Sequence, residues 1–283
     1  MADASMANTF GIAGLLGWPV AHSRSPTIHN YWLNEHGLAG RYILLPVPPE
    51  KLSIALPGLA ALGFRGCNVT TPHKQAVMPM IQTVDPLAQR IGAVNTIVVE
   101  KDGSLKGFNN DGNGFIQSVR DAKPAWRPDS GPILIIGAGA ASRAVVASLA
   151  QQGAKEIRLV NRTYDKAKGM ADEFGSPVTA HAWERRNELM EDVALLANTT
   201  NQGMGGKSVL DISLDRLAGD AVVGDLIYTP PETSFLAAAR MRGNVTVNGL
   251  GLLLNQARPA FQAWFGVLPE LSPGLLKAVQ ATF

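Results

Sequence analysis

An α/β fold in two domains, the second built on a doubly wound parallel sheet, is what this sequence predicts, and three observations predict it. The chain has 283 residues, about twice the ~150 of a typical domain. Short runs rich in Val, Ile and Leu alternate with longer amphipathic segments, the pattern of parallel βα units. One such run, Pro132 to Ile136, leads straight into the glycine turn Gly137-Ala138-Gly139. Composition agrees: 46% hydrophobic and 17% charged residues are ordinary for a folded chain and exclude a disordered or collagen-like one. A formal charge of +2 is too small for a general polyanion-binding surface, so no nucleic-acid partner is expected.

In chain order, Phe10–Leu16, Tyr42–Val47, Phe64–Val69 and Asn95–Glu100 read as strands, with helices between them. Ser25-Pro26 reads as a helix start, with Ser25 as the cap and Pro26 at the first helical position; the helix runs towards Glu35 and stops near Gly37. No charged residue lies between Asp3 and Arg24, but Asn8, Thr9, Gly11, Gly14, Gly17 and Pro19 interrupt the run, so it reads as strand and loop, with no membrane segment expected. A helix over Gly114–Asp121 precedes the turn-rich stretch Lys123–Gly131, where the pattern breaks. Then follow strand Pro132–Ile136, helix Ala140–Gln152, strand Glu156–Val160, helix Tyr164–Phe174, and strands Val193–Asn198, Ala221–Leu226 and Asn244–Val247, a Rossmann-type series. The chain divides accordingly into 1–112, 113–248 and a helical tail, 249–283, that packs back on the first part.

A turn of the form Gly137-Ala138-Gly139-Ala140-Ala141-Ser142 lets a pyrophosphate approach backbone N–H groups at a helix N-terminus. Alone it is a weak signal, a tight βα turn, because Ser142 replaces the third glycine; its place after a buried strand strengthens it. At the end of the next strand, where an acid for the ribose hydroxyls of NAD would stand, the chain has Asn161-Arg162-Thr163. A carboxylate there would repel a 2′-phosphate, whereas Arg162, helped by Thr163 and Lys166, can bind one. NADP is therefore expected over NAD. Arg162 as a mere solvated strand end explains the missing acid poorly.

Four polar clusters fall at strand ends and loops of the first domain: Gly17–Asn30, Asn68–Lys74, Gly92–Thr96 and Asn109–Gly114. Singly they could be caps and turns. Together, the run Gly-Trp-Pro-Val-Ala-His-Ser-Arg-Ser-Pro-Thr-Ile-His-Asn from Gly17 and Asn-Val-Thr-Thr-Pro-His-Lys from Asn68 resemble the opening and lysine motifs of the shikimate dehydrogenases. Gly92-Ala93-Val94-Asn95-Thr96, Asn109-Asn110-Asp111-Gly112, Asn161-Arg162-Thr163 and Gly249-Leu250-Gly251 with Gln256 extend the resemblance from about Phe10 to the C-terminus. Two departures stand out: Asn110 where the family often has Thr, and Ala140 where the turn often has Gly.

The resemblance implies reversible, NADP-linked reduction of 3-dehydroshikimate to shikimate in aromatic amino acid biosynthesis, with Lys74 and Asp111 as the catalytic pair. It implies a substrate-binding catalytic domain over 1–112, with Ser23 and Ser25 on the substrate carboxylate, Thr70, Asn95, Asp111 and Gln256 on the ring hydroxyls, and Tyr228 near the carboxylate. A Rossmann domain over 113–248 carries the nucleotide contacts, Gly137, Gly139, Ala140, Ala141, Asn161, Arg162, Thr163, Lys166 and Thr199, with Gly249 following. Asn198-Thr199-Thr200 and Gly203-Met204, after a Rossmann strand, lie beside the nicotinamide by resemblance. The two domains should leave a cleft that closes on the reactants. Quinate or mixed quinate/shikimate oxidation is the alternative, and a non-catalytic binding protein on the same fold the third. No metal is expected: His22 and His29 lack acidic or cysteine partners and read as structural. Trp183 and Trp264 read as packing residues. The single cysteine, Cys67, fits a reducing cytoplasm, and the protein is expected there as a monomer or homodimer.

Overall fold

A computed structural model describes residues 10–205 and 207–283. Residues 1–9, where the expected first domain and the uncharged N-terminal stretch begin, lie outside the described residues. The chain forms two compact units. One runs to Asn110 and resumes at Gln256–Phe283; the other is Asp111–Asn255. The limits expected at 112 and 248 thus both lie inside the second unit.

The first unit contains β1 (Gly11–Gly17), α1 (Ser25–Glu35), β2 (Gly40–Pro46), α2 (Leu52–Ala61), β3 (Phe64–Val69), α3 (His73–Ala76), β4 (Thr83–Val84), α4 (Pro86–Ile91), β5 (Thr96–Val99) and β6 (Leu105–Phe108). Its sheet has the order β2-β1-β3-β5-β6-β4. Only part of it follows the parallel pattern: β1 is parallel to β2 and β3, while β5 is antiparallel to both β3 and β6. The expected strands from Phe10, Tyr42, Phe64 and Asn95 are present with ends shifted by a residue or two. The hairpin strand β6 and the two-residue β4 were not expected, because Leu105–Phe108 is too short and too mixed to register as an apolar run. Local chemistry sets α4: Asp85 accepts hydrogen bonds from the Leu87 and Ala88 N–H groups, Pro86 opens the helix, and Gly92 closes it at a φ of 74°. A buried cluster including Leu56, Cys67, Val77, Val94 and Ile97 lies beneath the sheet.

The second unit begins with α5 (Asp111–Ala122), followed by β7 (Ile133–Ile136), α6 (Ala140–Gln151), β8 (Ile157–Val160), α7 (Tyr164–Phe174), β9 (Val178–His181), β10 (Leu195–Asn198), β11 (Val222–Asp225), α8 (Ser234–Met241) and β12 (Val245–Val247). The strands are all parallel, in the order β12-β11-β10-β7-β8-β9. That is the doubly wound arrangement, with the order reversing at β7. Strand β9 was not expected, and α5 starts at Asp111 rather than Gly114. Helix α9 (Gly249–Phe265) begins in the second unit and ends in the first, where α10 (Pro273–Gln280) follows, capped by Ser272.

Within the first unit the tail does pack on the strands and α1. His29, Trp32 and Tyr42 form an aromatic cluster with Phe261 and Trp264, and the Trp264 indole donates to the Ile97 carbonyl at 2.9 Å. Among the described residues no helix is long and apolar enough to cross a membrane.

Candidate active site

In the first unit, the loops at the strand ends are stitched together by backbone hydrogen bonds. Trp18 N–H donates to Thr71, Thr70 N–H to Leu16 and Val47 N–H to Gly17. The Trp18-Pro19 and Thr71-Pro72 bonds are cis. His73 is buried and donates through Nε2 to the Val47 carbonyl at 2.7 Å. That contact, with Val94 N–H donating to the Lys74 carbonyl at 2.8 Å, fixes the backbone on both sides of the half-buried Lys74.

At the end of β1, the Ser23 hydroxyl accepts from the Ser25 N–H and donates to the Ser25 hydroxyl, both at 3.2 Å. This corrects the expected cap: Arg24 is the residue preceding α1, Ser25 is the first helical residue, and its side chain caps nothing. The two hydroxyls instead form an adjacent pair. Farther along the helix, Asn30 donates to the Pro26 and Tyr42 carbonyls and accepts from the Tyr42 N–H, which locks α1 to β2.

A buried polar network follows from β3 to β6. The Tyr42 hydroxyl donates to Asn68 Oδ1 at 2.7 Å, and Asn68 Nδ2 donates to the Asn95 carbonyl and to Thr96 Oγ1. Thr96 in turn donates to Asn95 Oδ1 at 2.8 Å, and Asn95 Nδ2 donates to Gln256 Oε1 at 3.3 Å. The departure at Asn110 is absorbed here: its N–H donates to Asn95 Oδ1 and its side-chain amide to Thr96 Oγ1. Each buried amide thereby has partners, as its desolvation requires. Two of the expected substrate residues, Asn95 and Gln256, are in direct contact. Asp111 is one residue beyond this network and opens α5.

The two histidines part company. His22 is exposed, while the His29 ring stacks on Tyr42 with centroids 4.1 Å apart and is wholly buried. Desolvation lowers its pKa to about 3, so the ring is neutral. Burial pushes the Cys67 thiol up to about 12, which leaves it protonated and unreactive at neutral pH.

In the second unit, the turn after β7 leads into a cavity of about 470 Å³. Gly137 has a φ of 111°, and a Cβ there would stand 2.7 Å from the Thr199 hydroxyl, so both conformation and space require glycine. Ser142, in the third glycine's place, donates to the Gly137 carbonyl at 2.7 Å and closes the turn. Asn161 braces it from β8, accepting from Ala138 N–H at 3.2 Å and donating to the Thr163 carbonyl. Thr199 donates through both its N–H and its hydroxyl to the Ile136 carbonyl.

All the expected nucleotide residues except Gly249 line this cavity, as do Thr200, Asn201, Gln202 and Trp183. Arg162, Thr163 and Lys166 are exposed at its rim, and among the described residues no carboxylate lines it. Gly249 follows β12 and opens α9. It packs against the Leu226–Ile227 backbone, where a Cβ would collide, and its N–H donates to the Ile227 carbonyl at 2.9 Å.

Sequence reasoning missed Asp225, at the end of β11. Its Oδ1 accepts from Asn198 Nδ2 and Ile227 N–H, both at 3.1 Å, and its Oδ2 from Thr233 at 2.8 Å. Asn198 passes the order on, accepting from the Thr200 N–H and hydroxyl in the cavity-lining loop. Burial raises the Asp225 pKa to about 6 against those hydrogen bonds. The half-buried Tyr228 follows in the same turn. Trp183, expected to be a packing residue, packs on the core of the second unit and also lines the cavity.

Residues 15–97 match the family model of the shikimate dehydrogenase substrate binding domain, and residues 125–204 that of shikimate / quinate 5-dehydrogenase. The chain is 52% identical over 264 residues to the shikimate dehydrogenase (NADP(+)) of Paramagnetospirillum magneticum, covering 93% of this chain and 96% of that one. It resembles the solved shikimate 5-dehydrogenase of Thermus thermophilus, in complex with NADP(H) and shikimate, with a TM-score of 0.85 at 36% identity, covering 96% of this chain and 100% of that one. The ligand-free 5-ketofructose reductase of a Gluconobacter species has a TM-score of 0.90 at 30% identity, covering 98% and 100%.

Proposed function

Because the chain belongs to the shikimate dehydrogenase family, we propose that it catalyses the reversible, NADP-linked reduction of 3-dehydroshikimate to shikimate. The observation that carries this reading is the nucleotide cavity, walled by Arg162, Thr163 and Lys166 and without a carboxylate among its described lining residues. Such a rim suits a 2′-phosphate, which an acidic residue would repel.

When bound, the reduced cofactor supplies a hydride to the ketone carbon. The chain's own groups do the rest. The Lys74 ammonium offsets the negative charge developing on the carbonyl oxygen and delivers the proton to it. Asp111 holds that ammonium and the reacting hydroxyl in position. The paired hydroxyls of Ser23 and Ser25, with Tyr228, receive the substrate carboxylate; several converging neutral donors suffice for a partly buried anion. Thr70, Asn95 and Gln256 read the ring hydroxyls, with Asn95 and Gln256 supported by the Asn68–Thr96–Asn95 network. The protein works in the cytoplasm, a setting its single buried cysteine suits, as a monomer or homodimer.

The likeness to a 5-ketofructose reductase and a family model that also covers quinate make two other substrates worth testing. Steady-state turnover of shikimate, quinate and 5-ketofructose, each with the NADP and NAD couples, decides among them. The highest kcat/KM is expected for shikimate with NADP. Faster quinate oxidation with NAD, faster 5-ketofructose reduction, or no turnover of any pair would overturn the reading.

A further inference from the structure

We infer that Trp183 is the wall against which the purine of the dinucleotide packs, a binding residue just after the strand that lies beyond those leading to the phosphate-binding groups. The inference rests on the nucleotide reading of the cavity and adds where its base lies. Three consecutive neighbours in the parallel sheet supply the argument. The glycine turn follows β7, Arg162 and Lys166 follow β8, and Trp183 comes two residues after the end of β9. Pyrophosphate belongs at the helix N-terminus after β7, and the phosphorylated ribose at the cations after β8. The base is attached to that same ribose. It therefore extends towards the loop after β9, two strand spacings or about 10 Å from the turn.

Trp183 lines the same cavity and, among the described residues, is the only aromatic one to do so. It does not hang loose there. The half-buried indole packs on the core of the second unit. The Arg186 guanidinium lies 4.6 Å from the ring centroid and is itself anchored, with Nη2 2.6 Å from Asp211 Oδ2, Nε 2.7 Å from the Asp211 carbonyl, and Nη1 3.1 Å from the Trp183 carbonyl. An indole fixed in this way presents a preformed apolar surface, and a purine is the flat, weakly hydrated part of the ligand that gains from one.

Titration of the whole protein with 2′,5′-ADP, which carries the purine and the 2′-phosphate but cannot react, tests this without turnover. Trp32, Trp126 and Trp264 are buried and W18F removes the other exposed indole, so saturable quenching of tryptophan emission is expected in W18F and its loss when W183F is added. By calorimetry, W183F is expected to bind 2′,5′-ADP within about threefold of wild type and W183A about tenfold more weakly. In turnover, the W183A defect is expected in KM for NADP, not in KM for shikimate. Quenching that persists when W183F is added to W18F, or wild-type affinity in a folded W183A, would overturn the inference. Quenching without any shikimate turnover would overturn the proposed activity and leave this inference standing, whereas a wild-type protein that binds no 2′,5′-ADP would overturn both.

Discussion

Replacing Asp225 by asparagine should remove a pH dependence of stability that the buried carboxyl imposes. In the folded protein its pKa lies at about 6, against the 3.8 of an ordinary aspartate. At 1.36 kcal/mol per unit, the ionised form costs about 3 kcal/mol at pH 7. The sign follows from proton binding. Between those two values the native state holds a proton that the unfolded state has released, so stability falls as pH rises through the window and levels off above it. Going from pH 7 down to pH 5, this one group should return about 1 kcal/mol. Carboxylates held low by arginines, such as Glu173 beside Arg143 and Asp192 beside Arg158, act in the opposite direction, but they are common to both proteins and cancel in the difference. The substituted amide would keep an oxygen for Asn198 and Ile227, while Thr233 would turn its hydroxyl to accept. Urea unfolding of wild type and D225N at pH 7, 6 and 5 is the assay. The variant should be at least as stable as wild type at pH 7, with its advantage shrinking by about 1 kcal/mol at pH 5. A deficit of the same size at every pH would refute the reasoning, because it would mean that the hydrogen bonds outweigh the desolvation of the charge.

Two further outcomes follow from the nucleotide cavity. R162Q removes a charge-assisted contact and should raise KM for NADP about tenfold to a hundredfold while leaving KM for NAD nearly unchanged, as steady-state kinetics with both cofactors would show. G137A forces a side chain onto a backbone at φ 111° and against Thr199; strain of about 1–3 kcal/mol should appear as a lower thermal midpoint together with weaker NADP binding.

Much of this was legible in the sequence because each signal there is local. The alternation of Ile133–Ile136, Ile157–Val160 and Leu195–Asn198 with amphipathic helices spells out the parallel sheet, and Gly137 marks the turn by the conformation only glycine adopts cheaply. What was not legible depends on partners far along the chain. Strands β4, β6 and β9 are held by neighbours rather than by any pattern of their own. Ser25 looked like a cap, yet Ser23 takes its N–H, which only the bend after Val20 decides. Asp225 sits in an apolar strand whose sequence does not announce Thr233, Asn198 and Ile227 as its partners, and with β9 invisible the packing of Trp183 was legible but its place at the cavity was not. Nor does the sequence announce the Leu226–Ile227 backbone as the close neighbour of Gly249.

The central claim is that Lys74 works on the substrate oxygen of a shikimate-oxidising, NADP-dependent enzyme. The most direct test follows the absorbance of reduced nicotinamide after the protein is mixed with NADP and shikimate, in wild type and K74A, with NADP affinity measured alongside. Rapid reduction by wild type is expected, with a loss in K74A of at least about a hundredfold and NADP affinity within about threefold of wild type, because the lysine acts on the substrate and not on the nucleotide. Turnover in K74A close to wild type, or a wild-type protein that forms no reduced nicotinamide from shikimate, would contradict that claim.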